Sequence, residues 1–318
     1  MRQTVHGHLW TLAPHFKHVL RPSATLEDEP WQTTLEDLHM GSVRLSGWVH
    51  HRPEAETLAV LVHGLGGTAD SRYVIRLAET LDAAGLSYLR LALRGADRRG
   101  EDFYHAAMHQ DVAAALASPA LSRYRRIVLI GFSMGGHISL SWACQPERDP
   151  RVDAVVSVCA PLDLSYGAHA IQRPAGRPYQ WHVLRGLKAM VRAVAARGRP
   201  LPVSLERAMA AKTILEWDDV VVAPRFGFAN RADYYHRTSV GPRLRQLELP
   251  TLIVAAEADP MVTADQLRPW LREVSPCVEV AWTARGGHVA FPRDVDLGFG
   301  DVGPLEAQLV KWLQRSSA

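Results

Sequence analysis

The sequence predicts an α/β fold, with a mostly parallel β-sheet and helices packed on both of its faces. Two observations lead to this prediction. From residue 58 onward, short apolar runs alternate with helical patterns, and repeated strand–helix–strand units build parallel sheets. The chain has 318 residues, 47% hydrophobic and 22% charged, which is enough to bury the core of a large domain.

Four buried strands are predicted in the first half of the chain. Each is a short continuous apolar run, as in strands covered on both faces. The runs are TLAVLVH (57–63), LSYLRLAL (86–93), RIVLIGF (126–132) and VDAVVSVCA (152–160). Helices are predicted between them at 71–84, about 104–117 and 134–144. Residues 38–50 alternate apolar and polar, which predicts antiparallel edge strands.

The strand–helix alternation stops after Pro161. The following 80 or so residues carry helical patterns with tryptophan, proline and arginine. The strand pattern then resumes at 250–260 and again at 277–284. A final helix is predicted at about 304–315. We therefore predict an N-terminal arm (1–35) and one domain (36–318) with a helical lid insertion at about 162–245.

Composition excludes several classes of protein. The net charge is 36 minus 33, or +3, and basic clusters such as RYRR (123–126) lie among acidic residues, so no nucleic-acid partner is predicted. Three cysteines without a CxxC pair predict neither a disulfide framework nor a zinc knuckle. We predict a cytoplasmic protein because no signal peptide and no membrane span is recognisable. The oligomeric state is not predicted.

A lone serine stands between two glycines in residues 131–135, Gly-Phe-Ser-Met-Gly, where a predicted buried strand gives way to a helix. In this setting the pattern G-x-S-x-G is the nucleophile elbow of the α/β-hydrolase fold. The alternative is a glycine-rich bend whose serine caps the helix. The strand–turn–helix setting favours Ser133 as a catalytic nucleophile.

A serine nucleophile needs a base to take its proton and a third group to orient that base. In this fold the order along the chain is serine, acid, histidine. Asp259 and His288 each follow a predicted strand, at the edge where parallel sheets gather their reacting groups. Glu257 and Asp265 are rival acids, one expected within the strand and the other in the next helix.

The oxyanion of an acyl-transfer intermediate needs N–H donors aimed at it. The amide of Met134, directly after the serine, is one predicted donor. The second is expected in the loop HGLGG (63–67), where we select the Leu65 amide. His63 is expected to shape this loop and not to act as a second base.

No metal and no other cofactor is predicted. The N-terminal histidines lack nearby carboxylates and lie in an irregular segment, which does not favour a metal site (His6, His8, His15 and His18). In the insertion, Trp181, Leu184 and Leu187 fall near helical spacing. They are predicted to line an acyl channel; the alternative is an apolar stripe that packs the lid onto the body.

Several segments together resemble the YheT family of α/β-hydrolases, also described as the AB hydrolase 4 family. They are LVHGLGGTADSRYV, LRLALRGADRRGEDFYHAAMHQD, GFSMGGH, EADP and GGHVAF, with PLDLSYGAHAIQRPAGRPYQWHVLRGLK and ILEWDDVVVAPRFGFANRADYYHRTS in the insertion. The resemblance covers about residues 40–315. It implies a charge-relay triad, which falls on Ser133, Asp259 and His288, and carboxylesterase activity, often on short-chain esters. LALRG, YHAA and EADP depart from the family pattern, so the resemblance leaves substrate choice open.

The predicted function is that of a serine carboxylic-ester hydrolase, with an acyl-enzyme intermediate and a small-molecule ester of short to medium acyl chain as substrate. Three alternatives stay open at this point. The same triad can pass the acyl group to an alcohol, or it can act on lipids as a lipase or phospholipase. A hydrolase-fold protein that binds without catalysis is the third.

Overall fold

One eight-stranded sheet organises the protein. The computed structural model describes residues 26–316 together with Gly7, His8 and Thr11. The strands are β1 Glu29–Asp37, β2 Gly41–His50, β3 Thr57–Val62, β4 Ser87–Ala92, β5 Arg126–Phe132, β6 Val152–Val158, β7 Thr251–Ala256 and β8 Val278–Thr283. Their order across the sheet is β1-β2-β4-β3-β5-β6-β7-β8. β2 pairs antiparallel with both β1 and β4, and all other pairs are parallel.

Helices cover both faces of this sheet. They are α1 Arg72–Ala83, α2 His109–Leu116, α3 Met134–Ala143, α4 Leu164–Ala170, α5 Arg177–Ala196, α6 Leu205–Ala210, α7 Ile214–Trp217, α8 Ala223–Arg225, α9 Arg231–Thr238, α10 Ala264–Leu271 and α11 Leu305–Arg315. A five-residue π-helix, Asp218–Val222, joins α7 to α8. Within the described residues, no helix is both long and apolar enough to cross a bilayer.

The sheet separates two apolar cores. In β3, Val60 and Val62 face one core and Leu61 faces the other, because successive side chains of a strand point to opposite faces. α2 and α3 contribute to the first core, and α1 and α11 to the second. The fold predicted from the alternating pattern is thereby confirmed: a mostly parallel sheet with helices on both faces.

Two boundaries differ from the sequence predictions. The sheet begins at Glu29, inside the range predicted as the arm, because β1 pairs residue by residue with β2 and buries Trp31. The helix predicted from residue 104 begins only at His109. Residues just before it are engaged elsewhere; the Ala106 amide, for example, donates to the Tyr234 hydroxyl at 2.9 Å.

The segment between β6 and β7 is helical, from α4 to α9, and contains no strand in its described course. Its longest helix, α5, buries one side against the first core, with Val191 and Val194 fully covered. The helices also contribute side chains to a cavity above the carboxyl edge of the sheet. The insertion therefore packs tightly against the body of the domain.

A buried ion-pair network ties the insertion to the sheet. The Arg94 guanidinium contacts Asp111 at 2.6 Å, Asp37 at 2.9 Å and Asp102 at 3.0 Å. Arg225, from the insertion, contacts the same Asp102 at 2.6 Å. Burial raises the pKa of Asp111, because its carboxylate gives up water for these partners. The two arginines thus hold carboxylates that the core would otherwise not tolerate.

We expect Arg94→Met to lower the free energy of unfolding by about 3–5 kcal/mol, because the variant leaves buried carboxylates without their principal cation. Urea unfolding followed by far-UV circular dichroism measures the change. The matched control is Arg245→Gln, which breaks an exposed pair with Glu273 and is expected to cost about 1 kcal/mol or less. Equal losses in the two variants would contradict this account of the network.

Candidate active site

Ser133 lies on a sharp turn between β5 and α3. Its backbone has φ 53° and ψ −121°, a conformation that L-residues adopt only under constraint. Close packing around the turn leaves no room for a side chain at the two flanking glycines. A Cβ on Gly131 would lie 2.2 Å from the Gly135 carbonyl oxygen, and one on Gly135 would lie 2.2 Å from that of Val62. The turn therefore presents Ser133 at the carboxyl edge of the sheet.

The imidazole of His288 connects Ser133 to Asp259. Its Nε2 lies 2.8 Å from the Ser133 Oγ, and its Nδ1 lies 2.9 Å from the Asp259 Oδ2. The Asp259 Oδ1 accepts the amides of Met261 at 2.8 Å and Val262 at 2.9 Å, which fixes the carboxylate plane. Asp259 is 4% exposed and His288 6% exposed. The predicted three residues thus form one continuous hydrogen-bonded chain.

The rival acids are not members of this hydrogen-bonded chain. Glu257 directly follows β7 and forms an ion pair with Arg268 at 2.5 Å. Asp265 lies in the first turn of α10, where a carboxylate complements the helix dipole. Neither contacts His288.

The loop that carries His288 also depends on the N-terminal arm, which sequence analysis did not associate with the site. The Thr11 Oγ1 accepts the backbone amide of His288 at 2.8 Å. His8 hydrogen-bonds the Tyr179 hydroxyl at 2.7 Å. Nothing in the local sequence around Thr11 indicates this contact, because it joins residues 277 positions apart.

The loop 63–67 lines the same cavity as Ser133, and its Leu65 amide is left without an acceptor in the described part of the chain. The Gly64 amide donates to the Tyr73 hydroxyl at 2.9 Å, and the Gly66 amide donates to the Tyr104 hydroxyl at 2.7 Å. The Gly67 amide bonds within the loop at 3.0 Å. Among the described residues, the Leu65 amide has no acceptor. The arrangement leaves this N–H available to an oxyanion.

The Met134 amide is the second available donor. Met134 is the first residue of α3, and the first N–H groups of a helix have no acceptor within the helix. No described residue accepts its hydrogen bond. The positive end of the helix dipole adds to its attraction for an anion.

His63 stabilises the same loop in its neutral form. Its Nδ1 donates to the Gly64 carbonyl oxygen at 2.8 Å, and its Nε2 accepts the Leu93 amide at 3.3 Å. Complete burial lowers the pKa of His63 from 6.5 to about 4. The expectation that His63 shapes the loop is confirmed by these contacts.

Burial of neutral His63 predicts acid sensitivity. The unfolded chain binds a proton at this residue near pH 6.5 and the folded chain only near pH 4, so stability falls as pH falls between these values. We expect His63→Gln to remove about 3 kcal/mol from the pH-dependent change in unfolding free energy over this range. Urea unfolding at a series of pH values measures it. The exposed His39→Gln is the control, and equal pH dependence in the two variants would contradict the prediction.

A cavity of about 460 Å³ opens beside the Ser133 hydroxyl and is mostly apolar. Tyr179, Val183 and Leu187 of α5 line it, since residues four apart share one face of a helix. The prediction for Trp181 is wrong: its side chain is 64% exposed and lies against the Arg185 guanidinium. It is turned about 200° around the helix from Tyr179.

Of the other two residues predicted from this helix to line the cavity, one does so and one does not. Leu187 lines the cavity, as expected. Leu184 does not; it is turned about 100° from Val183 and packs into the first core. The apolar stripe of α5 therefore serves both the cavity and the packing of the insertion.

Cys159, Asp259 and His288 bring potential metal ligands within 4.8 Å of one another, the single such group among the described residues. Burial raises the pKa of the Cys159 thiol well above its ordinary value, so the thiol stays protonated. Asp259 and His288 already bond each other. The donor set is therefore suited to proton transfer and poorly suited to a metal. Of the four N-terminal histidines considered above, only His8 lies within the described residues.

Comparison with known proteins places the chain in a family. A family model described as the alpha/beta hydrolase fold matches residues 59–294. The YheT protein of Escherichia coli (strain K12), which carries the name of an esterase, is 32% identical over 83% of this chain and 77% of its own length. A Saccharomyces cerevisiae protein named medium-chain fatty acid ethyl ester synthase/esterase 2 is 24% identical over 74% of this chain and 58% of its own length.

A solved structure shows the same fold. The Pyrococcus furiosus esterase Pf2001 superimposes with a TM-score of 0.60 at 14% identity, covering 94% of this chain and 97% of that one. The sheet order and the serine elbow agree with this fold. The family model also matches more than half of the sequence. The chain belongs to the α/β-hydrolase family and is YheT-like within it.

Proposed function

We propose that the protein is a serine carboxylic-ester hydrolase that works through an acyl-enzyme on Ser133. The observation that carries the proposal is the continuous chain from the Ser133 Oγ through His288 to the buried Asp259 carboxylate, beside an apolar cavity. Nucleophile, base and orienting acid are the three parts that acyl transfer requires. The esterase names of relatives support the same reaction.

In acylation, the His288 Nε2 takes the Ser133 proton while the Oγ attacks the ester carbonyl carbon. The negative charge that develops on the carbonyl oxygen is held by the amides of Leu65 and Met134. His288 then gives its proton to the leaving alcohol as the carbon–oxygen bond breaks. Asp259 holds the imidazole in the required tautomer and stabilises its charged form.

Deacylation repeats these steps with water. His288 removes a proton from the water molecule, and the hydroxide adds to the acyl carbonyl carbon. The same two amides hold the second oxyanion. Collapse of this intermediate returns the proton to the Ser133 Oγ and releases the carboxylic acid.

The size and lining of the cavity support esters with short- to medium-chain acyl groups. A cavity of about 460 Å³ lies within the usual range for small-molecule sites. Residues of the insertion form part of its wall, so we propose that the segment 162–245 acts as a lid that selects the substrate. The insertion and the triad together define the site.

Transfer of the acyl group to an alcohol is the second candidate. An apolar cavity admits an alcohol as readily as an ester, and one relative carries the name of an ethyl ester synthase. Product analysis of p-nitrophenyl butyrate turnover with added ethanol tests it. Ethyl butyrate above the amount set by competition between ethanol and water would favour transfer; no excess would favour hydrolysis.

Labelling with a fluorophosphonate probe tests the proposed nucleophile. We expect the folded protein to bind the probe covalently and peptide mapping by mass spectrometry to locate the adduct on Ser133. The reaction needs a serine activated by a base, so heat-unfolded protein and Ser133→Ala serve as controls and are expected to stay unlabelled. Absence of labelling in the folded native protein, or an adduct on another residue, would contradict the proposal.

A further inference from the structure

A buried carboxyl group lines the cavity at a place that the proposed reaction does not use. Asp218 is 7% exposed and belongs to the cavity wall, beside Trp217, Val222 and Tyr235. It begins the π-helix Asp218–Val222. Single π-helical turns inside helices occur frequently at functional sites, because they redirect a side chain that regular helix geometry would place elsewhere.

The hydrogen bonds of Asp218 are incomplete. Its Oδ2 accepts the Tyr235 hydroxyl at 2.6 Å. No described residue donates to its Oδ1, and this oxygen is open to the cavity and not sealed in the core. The neighbouring Asp219 takes the nearby cation, since it forms an ion pair with Arg231 and accepts the Arg231 amide at 2.8 Å. No Lys or Arg of the described chain forms an ion pair with Asp218.

A carboxyl oxygen that faces a cavity can exchange water for a hydrogen bond to a ligand bound there. Burial raises the pKa of Asp218 to about 7, and the charge of Asp219 acts in the same direction. Near neutral pH the group therefore exists in both protonation states. In one it offers the cavity an acceptor, and in the other an O–H donor.

A second polar group on the same wall also has one hydrogen-bonding function without a partner among the described residues. The Tyr234 hydroxyl accepts the Ala106 amide at 2.9 Å. Within the described part of the chain, its own proton has no acceptor. Tyr234 lines the cavity, so this proton is available to a ligand oxygen.

Of the common polar groups, a hydroxyl fits these two neighbours best. It both donates and accepts, so it can bond Asp218 in either protonation state. An ammonium group can bond only the ionised form, and it would lose its hydration in a largely apolar cavity. A carboxylate can bond only the protonated form.

We propose that Asp218 forms a hydroxyl-binding subsite, so that the natural substrate is an ester that carries a hydroxyl group on the part of the molecule lodged in the cavity. The inference rests on the proposed ester hydrolase function and specifies its substrate class. Asp218 acts in recognition, and Tyr235 holds its carboxyl group in place.

Matched ester pairs test this subsite. One series consists of methyl esters of unbranched acids of about four to ten carbons, each measured with and without a terminal hydroxyl, a length range suited to a cavity of this size. A second series consists of butyrate esters of unbranched alkanols and of the corresponding terminal diols. The readout is the ratio of kcat/KM within each pair. Both esters of a pair are measured with the same fraction of folded enzyme. Partial unfolding therefore lowers both kcat/KM values equally and leaves their ratio unchanged.

For the native enzyme we expect a ratio of about tenfold or more for at least one pair. Asp218→Leu is expected to bring that ratio to about one, because leucine cannot bond the hydroxyl. Asp218→Asn is expected to keep most of it, since the amide both donates and accepts. Asp219→Asn is the matched control, because it changes the adjacent carboxyl group, which does not line the cavity. This variant is expected to keep the native ratio.

Three outcomes would overturn the inference. They are a native ratio near one for every pair, a ratio that survives in Asp218→Leu, and a stronger preference for amino-substituted esters that Asp218→Asn abolishes. Hydrolysis that depends on Ser133 but shows no hydroxyl preference would refute the subsite alone. Absence of any Ser133-dependent hydrolysis would refute the proposed function itself.

Discussion

Ser133→Ala is expected to hydrolyse p-nitrophenyl butyrate about 10⁵-fold more slowly than the native enzyme, or slower still. The variant keeps the cavity and the two oxyanion amides but has no oxygen to carry the acyl group. Both acylation and deacylation are then lost, and only the slow attack of water on bound ester remains. Initial rates at saturating substrate measure the change in kcat.

The control for this variant is Ser165→Ala, on the exposed side of α4, which is expected to keep the native rate. Ser133→Ala is also expected to keep its thermal unfolding midpoint within a few degrees of native, since alanine meets the same backbone strain as serine at φ 53°. A folded Ser133→Ala with native activity would exclude Ser133 as the nucleophile.

Asp259→Asn is expected to lower kcat by about 10⁴-fold. The contacts of the Asp259 carboxylate explain this expected loss. The Asp259 Oδ1 accepts the amides of Met261 and Val262, so an asparagine would keep its oxygen there and turn its NH₂ group toward His288. An NH₂ donor facing the Nδ1 forces the proton onto the Nε2, which then cannot accept the Ser133 proton.

Glu257→Gln is the matched control, because Glu257 is an acid only two residues before Asp259 and lies in an ion pair with Arg268. It is expected to keep the native kcat within about threefold. A larger loss in Glu257→Gln than in Asp259→Asn would reverse the choice of acid. The two variants are compared at the same pH on the same ester.

The parts of the site that depend on contiguous sequence were predictable. The serine elbow is one, since a buried strand, two glycines and a helix follow one another within residues 126–144. Asp259 and His288 were predictable for a related reason: each follows a strand of a parallel sheet, and the carboxyl ends of such strands meet at one edge.

The parts that depend on rotation about a helix or on distant contacts were not. Trp181 falls near helical spacing with Leu184 and Leu187 in the sequence, but spacing alone does not show that its side chain faces solvent. Asp218 reaches the cavity through a π-helical turn, which shifts the register of a pattern read at 3.6 residues per turn. Thr11 bonds the His288 amide from the far end of the sequence, and no local pattern encodes such a contact.

The hydrogen bond between Thr11 and the His288 amide makes the position of the proposed base dependent on a residue near the N-terminus. Removal of the first dozen residues would delete this hydrogen bond while leaving Ser133, Asp259 and His288 in place. Tags and fusion partners therefore belong at the opposite terminus when turnover is to be measured.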